Sequence, residues 1–137
     1  MATAIVDGDE DLRRRIRLHR ERRPRGWGTL EIGDLDEVLE AADEWDAILL
    51  DSLTLWVSAR MSGEEEETLQ ELDLFLEGAT ALGASLILVS DEVGLGVVPE
   101  SDVGRFFRDL LGLANQRAAA AAEEVHLCVA GIGMRVK

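Results

Sequence analysis

Short apolar runs alternate along this chain with longer stretches in which apolar residues recur every three or four positions. Each run is continuous rather than alternating and is bounded by turn or polar residues, which is typical of strands buried in a parallel sheet. The predicted strands are ATAIV at 2–6, AILLD at 47–51, SLILVS at 85–90 and EVHLCVAG at 124–131. We predict that these strands form one mainly parallel sheet, with a short edge strand at 27–31.

The stretches between these strands have helical periodicity, so strands and helices alternate along the chain. The predicted helices cover about 9–22, 34–42, 62–82 and 101–122. Asp34 is the predicted cap of the second helix, Ser62 opens a capping box for the third, and Ser101 begins the fourth, with Val103 on its buried face. This alternation predicts an α/β fold with a sheet flanked by helices, and 137 residues suit a single domain over 1–137.

Charge is distributed unevenly along the chain, and its distribution bears on which macromolecules the protein can bind. Residues 1–25 hold eight arginines and five acidic residues, whereas residues 26–137 hold six basic and 23 acidic residues. A strongly acidic body repels nucleic acid and anionic membrane surfaces, so we expect neither as a partner. The basic segment at 1–25 would suit a small nucleic-acid-binding protein, but the acidic remainder of the chain disfavours that function.

Cysteine content and hydropathy point to the cytoplasm. Cys128 is the only cysteine, so no intramolecular disulfide can form. No apolar run approaches the roughly 20 residues that a membrane helix requires, and the N-terminus lacks a signal-peptide pattern. We therefore expect a cytoplasmic protein.

Candidate chemistry lies at the strand ends and in one long loop. Asp51 closes an apolar strand, where the carboxyl end of a parallel strand commonly reaches a site. The strand at 85–90 is followed by DEVGLGVVPES, a glycine-rich loop of the kind that often carries function. No G-x-x-x-x-G-K-[ST] motif occurs, and the only lysine is Lys137, so a phosphate-binding P-loop is absent from these residues.

Several separated segments resemble one family, the bifunctional adenosylcobinamide kinases/adenosylcobinamide-phosphate guanylyltransferases of cobalamin biosynthesis. The matching segments include RIRLHRERRPRGWGTLE at 15–31, AILLDSLTLW at 47–56, LVSDEVGLGVVPE at 88–100, GRFFRDLLGLANQRAAAAAEEV at 104–125 and AGIGMRVK at 130–137. Two residues depart from the family pattern, since Asp91 and Ala59 each stand where asparagine is usual. The resemblance implies a RecA-like P-loop fold, here without its first strand and P-loop because the sequence starts at the family's second strand.

The same resemblance implies a function and a set of site residues. Such enzymes are typically trimeric, phosphorylate the aminopropanol arm of cobinamide, and transfer GMP through a guanylylated histidine. His19 is then the catalytic nucleophile, Asp51 resembles the acid that organises Mg²⁺, and Glu92 lies in a loop that approaches the active site. The expected phosphate-binding arginines are Arg15, Arg20, Arg22 and Arg23.

Other interpretations of these residues stay open. An alignment shifted by one residue places Leu18 at the nucleophile position, and the basic residues also suit a solvated helix face. Glu92 is equally suited to cap the neighbouring helix. Asn115 with Gln116 suits either an interhelical or subunit hydrogen bond or exposure to solvent. His126 is predicted to be a packed side chain in a strand.

Two functions follow from the resemblance. The first is a nucleotidyltransferase that uses GTP or ATP with Mg²⁺ and a cobinamide-type substrate, with weak nucleotide binding because the P-loop is absent. The second is a non-catalytic binding or assembly module derived from the family. In both, an exposed apolar sheet edge favours a homo-oligomer, and the resemblance implies a trimer.

Overall fold

The computed structural model describes residues 10, 14, 17, 18, 21, 23, 24, 26–30 and 32–137. Within the first predicted helix, the described residues are helical; they are Glu10, Arg14, Arg17, Leu18 and Glu21. The predicted strand at 2–6 lies outside the described residues. Residues 27–30 have no regular secondary structure, so the predicted edge strand is wrong there.

The regular elements from residue 36 onward comprise four α-helices and two pairs of strands. In chain order they are α1 (Asp36–Ala41), a 3₁₀ turn (Ala42–Glu44), β1 (Ala47–Asp51), α2 (Leu53–Ala59), α3 (Glu65–Ala79), β2 (Ser85–Val89), α4 (Asp102–Ala121), β3 (His126–Val129) and β4 (Ile132–Arg135). No described helix is long and apolar enough to cross a membrane.

β1 and β2 pair in parallel, which confirms two of the predicted strands. Their register sets Ile48 beside Leu86, Leu50 beside Leu88, and Asp51 beside Val89. Side chains alternate between the two faces of a strand. Ile48 and Leu50 are accordingly buried against the helices, whereas Val89 on the opposite face is 39% exposed.

The hydrophobic core lies between this sheet face and the helices. Each helix contributes residues to one cluster, with Val38 from α1, Trp56 from α2, Phe75 from α3 and Leu110 from α4 all at most 1% exposed. Burying each of these large side chains contributes about 1.5–3 kcal/mol relative to leaving it in water. The helices are therefore held on the sheet mainly by this shared apolar cluster.

The last predicted strand is placed wrongly. β3 pairs antiparallel with β4 in a separate two-stranded sheet, so among the described residues it does not join β1 and β2. The turn between them uses Ala130 and Gly131, both with positive φ (51° and 80°). Two positive φ values in a two-residue connection are what a tight hairpin between twisted strands requires. His126 is consequently exposed, not packed, and its Nε2 lies 3.1 Å from Glu124 Oε2.

Helix boundaries also differ from the sequence patterns at several ends. α1 begins after Leu35 and has no side-chain cap, so the prediction that Asp34 caps it is wrong. α3 begins after Glu64, and the capping box predicted at Ser62 does not form. α4 does begin as predicted, because Ser101 Oγ accepts a hydrogen bond from the Gly104 amide. Val103 is wrong as a buried position, since it is 70% exposed.

Candidate functional site

The carboxyl ends of β1 and β2 meet at one edge of the sheet and bring two candidate residues to the same side of the molecule. Asp51 ends β1, and its register partner Val89 ends β2, so the loop that carries Glu92 leaves the sheet beside Asp51. In open α/β sheets, ligands bind at this edge. The edge therefore joins Asp51 and the loop of Glu92 as parts of one candidate site.

The loop that follows β2 is clamped between two helices through the backbone of Asp91. Its amide donates to Thr54 Oγ1 in α2 at 2.8 Å, and its carbonyl accepts from Asn115 Nδ2 in α4 at 2.9 Å. Ser90 Oγ also donates to Asn115 Oδ1 at 2.6 Å. Asn115 thus ties α4 to this loop rather than to another helix of the chain, and a hydrogen bond between subunits stays a prediction.

Glu92 stands just beyond this clamp. Its Oε1 accepts a hydrogen bond from the Gly94 amide at 2.6 Å, which folds the carboxylate over its own loop. The neighbouring helix is capped by Ser101, so the alternative role of Glu92 as that cap is wrong. Glu92 instead lies on the rim of a cleft of about 340 Å³ between the loop and α4.

The cleft also contains an arginine that the sequence patterns did not single out. Arg108 lines it from α4, and its side chain is 27% exposed. Among residues 32–137, the nearest carboxylate oxygen to its guanidinium is Asp109 Oδ1, at 3.8 Å from Nε, which exceeds hydrogen-bond distance. The segment FRD was visible in the sequence, but only the fold places its arginine beside the loop of Glu92.

The other arginines of residues 32–137 form hydrogen-bonded ion pairs with carboxylates. The pairs are Arg60 with Glu71, Arg105 with Asp102, Arg117 with Asp73, and Arg135 with Glu124. Arg60 is held most fully, since Nε and Nη2 contact Glu71 at 2.8 and 2.5 Å and its guanidinium lies 4.1 Å from the Trp56 ring. In this part of the chain, Arg108 is therefore the arginine best placed to meet a ligand.

Asp51 has the position of a metal ligand, but few other side chains that could bind a metal ion are described near it. It is half-buried at the strand end and makes contacts within the protein. The described residues contain no group of three or more His, Cys, Asp or Glu side chains that could hold a metal ion. Mg²⁺ commonly takes one or two carboxylates and completes its octahedron with water and substrate phosphates. A single carboxylate at this edge fits that donor set.

The remaining predicted site residues lie in the basic segment near the N-terminus. Four of them fall outside the described residues, so their placement stays a prediction; they are His19, Arg15, Arg20 and Arg22. Arg23 is described and half-buried, and its Nη1 donates to Thr29 Oγ1 at 2.8 Å. That contact is with a neutral hydroxyl, which leaves the guanidinium able to bind an anion.

A second cleft, of about 290 Å³, lies beside β1, and residues of α1 and of the segment 26–30 also line it. Trp27, Trp45, Leu49 and Ile87 contribute to its largely apolar lining. Ile87 and Trp27 are 53% and 52% exposed, so this cleft presents apolar surface to solvent.

Comparison with known proteins agrees with this architecture. Residues 1–136 match the family model described as cobinamide kinase / cobinamide phosphate guanyltransferase. The chain belongs to this family. The resemblance seen in the sequence is thereby confirmed, and the α/β architecture with its parallel strands is compatible with the family's P-loop-like fold.

Individual members of the cobinamide kinase family give the same result. The bifunctional adenosylcobalamin biosynthesis protein CobU of Salmonella typhimurium is 37% identical over a gapped alignment 145 positions long, which covers 94% of this chain and 80% of that protein. CobU of Escherichia coli is 34% identical with the same coverage. The bifunctional adenosylcobalamin biosynthesis protein CobP of Pseudomonas aeruginosa is 37% identical over a gapped alignment 140 positions long, which covers 100% of this chain and 80% of that relative.

Proposed function

We propose that this chain is a transferase of cobalamin biosynthesis that moves a guanylyl group from GTP to a cobinamide-type phosphate. The observation that carries the proposal is the family match over residues 1–136. The shared edge of Asp51 and the Glu92 loop supports it, because a nucleotide needs several polar contacts at one place. The proposed substrates are a guanine nucleotide and a cobinamide-type compound.

His19 is the proposed nucleophile. An imidazole nitrogen would attack the α-phosphorus of GTP, the bond to the β-phosphate would break, and pyrophosphate would leave with the bonding electrons. The imidazole proton passes to solvent, which leaves a phosphoramidate. A phosphate oxygen of the cobinamide-type acceptor then attacks the same phosphorus, and the bonding electrons of the P–N bond return to the histidine.

The charges of the nucleotide need cationic partners. Arg15, Arg20, Arg22 and Arg23 are the proposed phosphate ligands, because planar guanidinium groups bind phosphate oxygens bidentately. Asp51 is the residue that would hold Mg²⁺, which when bound neutralises phosphate charge. Arg23 supports this assignment through its position, since its described hydrogen bond is to the hydroxyl of Thr29 and not to a carboxylate.

Nucleotide affinity of these 137 residues should be low. They contain no G-x-x-x-x-G-K-[ST] motif, whose backbone amides and lysine supply most phosphate contacts in related folds. We expect a GTP dissociation constant of about 1 mM or weaker, equivalent to about −4 kcal/mol. The kinase reaction, which depends most on that loop, should be the weaker of the two activities.

A homo-oligomer, with a trimer implied by the family, is also proposed. Four apolar side chains that lie close together in the chain after β2 are between 53% and 95% exposed; they are Leu95, Val97, Val98 and Val103. Contiguous exposed apolar residues commonly mark an interface. Light scattering at high micromolar concentration should give a mass above that of one chain, and a monodisperse monomer would contradict the proposal.

Labelling with GTP tests the covalent step directly. Incubation with Mg²⁺ and GTP labelled at the α-phosphate should give an acid-labile, base-stable adduct, and GTP labelled at the γ-phosphate should give none. The adduct should disappear in His19→Ala. His126→Ala is the matched control, because it removes the other histidine, which is exposed in the β3–β4 hairpin, and labelling should persist.

The competing function is a non-catalytic oligomeric module derived from the family. It predicts that the wild-type chain assembles but never becomes labelled. Labelling of wild type and His19→Ala to the same extent would also remove the proposed nucleophile, since the label would then lie on another residue.

A further inference from the structure

Gly28 lies closer to the ring of Trp45 than a residue with a side chain could. A Cβ placed on Gly28 would overlap Trp45 Cη2 and would stand 2.8 and 2.9 Å from Cζ2 and Cζ3. Non-bonded carbon atoms pack best at about 3.5–4.0 Å, so these approaches are too short. The φ angle of Gly28 is not positive. Glycine is therefore required at residue 28 for space, not for backbone conformation.

Trp45 is a firm support for this contact. It follows the 3₁₀ turn, where its amide donates to the Ala42 carbonyl at 3.1 Å, and it stands two residues before β1. Its half-buried side chain packs against the hydrophobic core. Gly28, in contrast, lies in an exposed segment without regular secondary structure. A larger residue at position 28 should therefore displace this segment rather than the ring.

The same segment holds the side chain of Arg23. The Trp27 amide donates to the Pro24 carbonyl at 3.0 Å and closes a turn between Arg23 and Gly28. Beyond that turn, Thr29 Oγ1 accepts a hydrogen bond from Arg23 Nη1 at 2.8 Å. Thr29 is bonded directly to Gly28, so the position of its hydroxyl depends on where Gly28 lies. A continuous series of contacts thus links the core to the guanidinium.

We propose that Gly28 is a positioning residue that sets the Arg23 guanidinium, through Thr29, for binding phosphate groups. The inference rests on the proposed function, in which Arg23 is a phosphate ligand. The bond to the hydroxyl restricts a long side chain and leaves the other guanidinium N–H groups for a two-point contact with phosphate oxygens. A side chain that is ordered before the ligand arrives loses less conformational entropy on binding. Displacing residue 28 should therefore weaken phosphate binding, although Gly28 itself contributes no side chain to the phosphate.

Inorganic pyrophosphate is the probe, because it offers phosphate oxygens without a base or sugar and requires no covalent step. Titrations of the full chain without Mg²⁺, followed by phosphorus NMR, should show weaker binding to Gly28→Ala than to wild type by about threefold or more. Gly26→Ala is the matched control in the same segment. A Cβ at Gly26 meets no atom within 4 Å, so this variant should bind like the wild type.

A smaller ring at residue 45 should rescue the variant. Trp45→Phe shortens the side chain and makes room for the methyl group of Gly28→Ala. Trp45 Nε1 has no hydrogen-bond partner in the part of the chain that the structure describes, so the substitution removes ring volume without removing a hydrogen bond seen there. The double variant Gly28→Ala/Trp45→Phe should bind pyrophosphate more tightly than Gly28→Ala alone.

Further variants show whether Gly28 acts through Arg23. Thr29→Val removes the hydroxyl acceptor and should weaken pyrophosphate binding as Gly28→Ala does, whereas Thr29→Ser keeps the hydroxyl and should bind like the wild type. In the Arg23→Gln background, Gly28→Ala should cause no further loss, because the group that it positions is already absent. A merely structural glycine would reduce binding equally in both backgrounds.

Four results would overturn the proposal. They are absence of pyrophosphate binding to the wild type, equal binding to Gly28→Ala and Gly26→Ala, full additivity of Gly28→Ala with Arg23→Gln, and failure of Trp45→Phe to restore affinity. These measurements are independent of labelling at His19. A chain that follows the expected binding pattern but never labels retains the positioning without catalysis. A chain that labels while Gly28→Ala binds like the wild type retains the transferase proposal alone.

Discussion

Removing the Asn115 side chain should loosen the clamp on the β2–α4 loop by a measurable amount. Asn115→Ala deletes the acceptor for Ser90 Oγ at 2.6 Å and the donor to the Asp91 carbonyl at 2.9 Å. A hydrogen bond of this kind has a net stabilising effect of about 0.5–1.5 kcal/mol. Because Ser90 and Asp91 are exposed, water can form hydrogen bonds with them in the variant and offset part of the lost stabilisation. We expect the free energy of unfolding to fall by about 1–2 kcal/mol.

Urea denaturation gives the readout. With a slope of about 2 kcal/mol per molar urea, the midpoint of Asn115→Ala should move down by roughly 0.5–1 M. Asn115→Asp should lose at least as much, because it keeps the acceptor for Ser90 but sets a carboxylate oxygen against the Asp91 carbonyl. Gln116→Ala is the matched control on the exposed neighbouring position of α4, and it should change stability by less than about 0.5 kcal/mol.

A double-mutant cycle shows whether the clamp works as a unit. Thr54→Val removes the acceptor for the Asp91 amide, so that amide should exchange with solvent faster. If both contacts fix the same loop backbone, Thr54→Val and Asn115→Ala together should deviate from additivity by at least about 0.5 kcal/mol. The reasoning is refuted if Asn115→Ala unfolds at the same urea concentration as Gln116→Ala, or if the two clamp variants add without coupling.

Three further substitutions test the packing and the ion pairs. Leu110→Ala opens a cavity at a fully buried site and should cost about 2–5 kcal/mol by urea denaturation, whereas Leu74→Ala at a 67% exposed site should cost less than about 0.5 kcal/mol. Ser101→Ala removes the side-chain cap of α4 and should lower stability by about 1 kcal/mol, a loss that Ser101→Asp should largely restore. Arg60→Lys exchanges a two-point contact with Glu71 for a point charge and should lower the thermal midpoint, more so at low salt.

The strands of the parallel pair could be predicted because their sequences leave few alternatives. AILLD and SLILV are continuous apolar runs of five residues between turn residues, too short for a buried helix. β3 carries a similar run, and periodicity alone could not tell a hairpin strand from a central one. Gly131 is a residue type that favours positive φ, but Ala130 is not, so the two-residue turn that pairs β3 with β4 had no clear signal in the sequence.

The missed elements have a common physical cause. α2 is seven residues long and follows β1 almost directly, so LTLWVSA is too short to show helical periodicity. Arg108 and Thr54 both lie in segments that resemble the family, but only tertiary placement brings them to the candidate site. Asp51 and Glu92 could be found because a strand end and a glycine-rich loop are visible locally, whereas the helix face that completes the cleft is not.

The clamp also explains why one departure from the family pattern is compatible with an intact loop. The resemblance leads us to expect asparagine at the position of Asp91, and a lost amide at a site edge would ordinarily suggest a lost contact. The hydrogen bonds to Thr54 and Asn115, however, use the backbone amide and carbonyl of residue 91 and leave its side chain out. Either residue can therefore occupy this position while the loop keeps its path from β2 to the cleft. What the loop requires is a hydrogen-bonding partner on each helix, so substitutions at Thr54 and Asn115 should disturb the position of Glu92 more than a change at residue 91 itself.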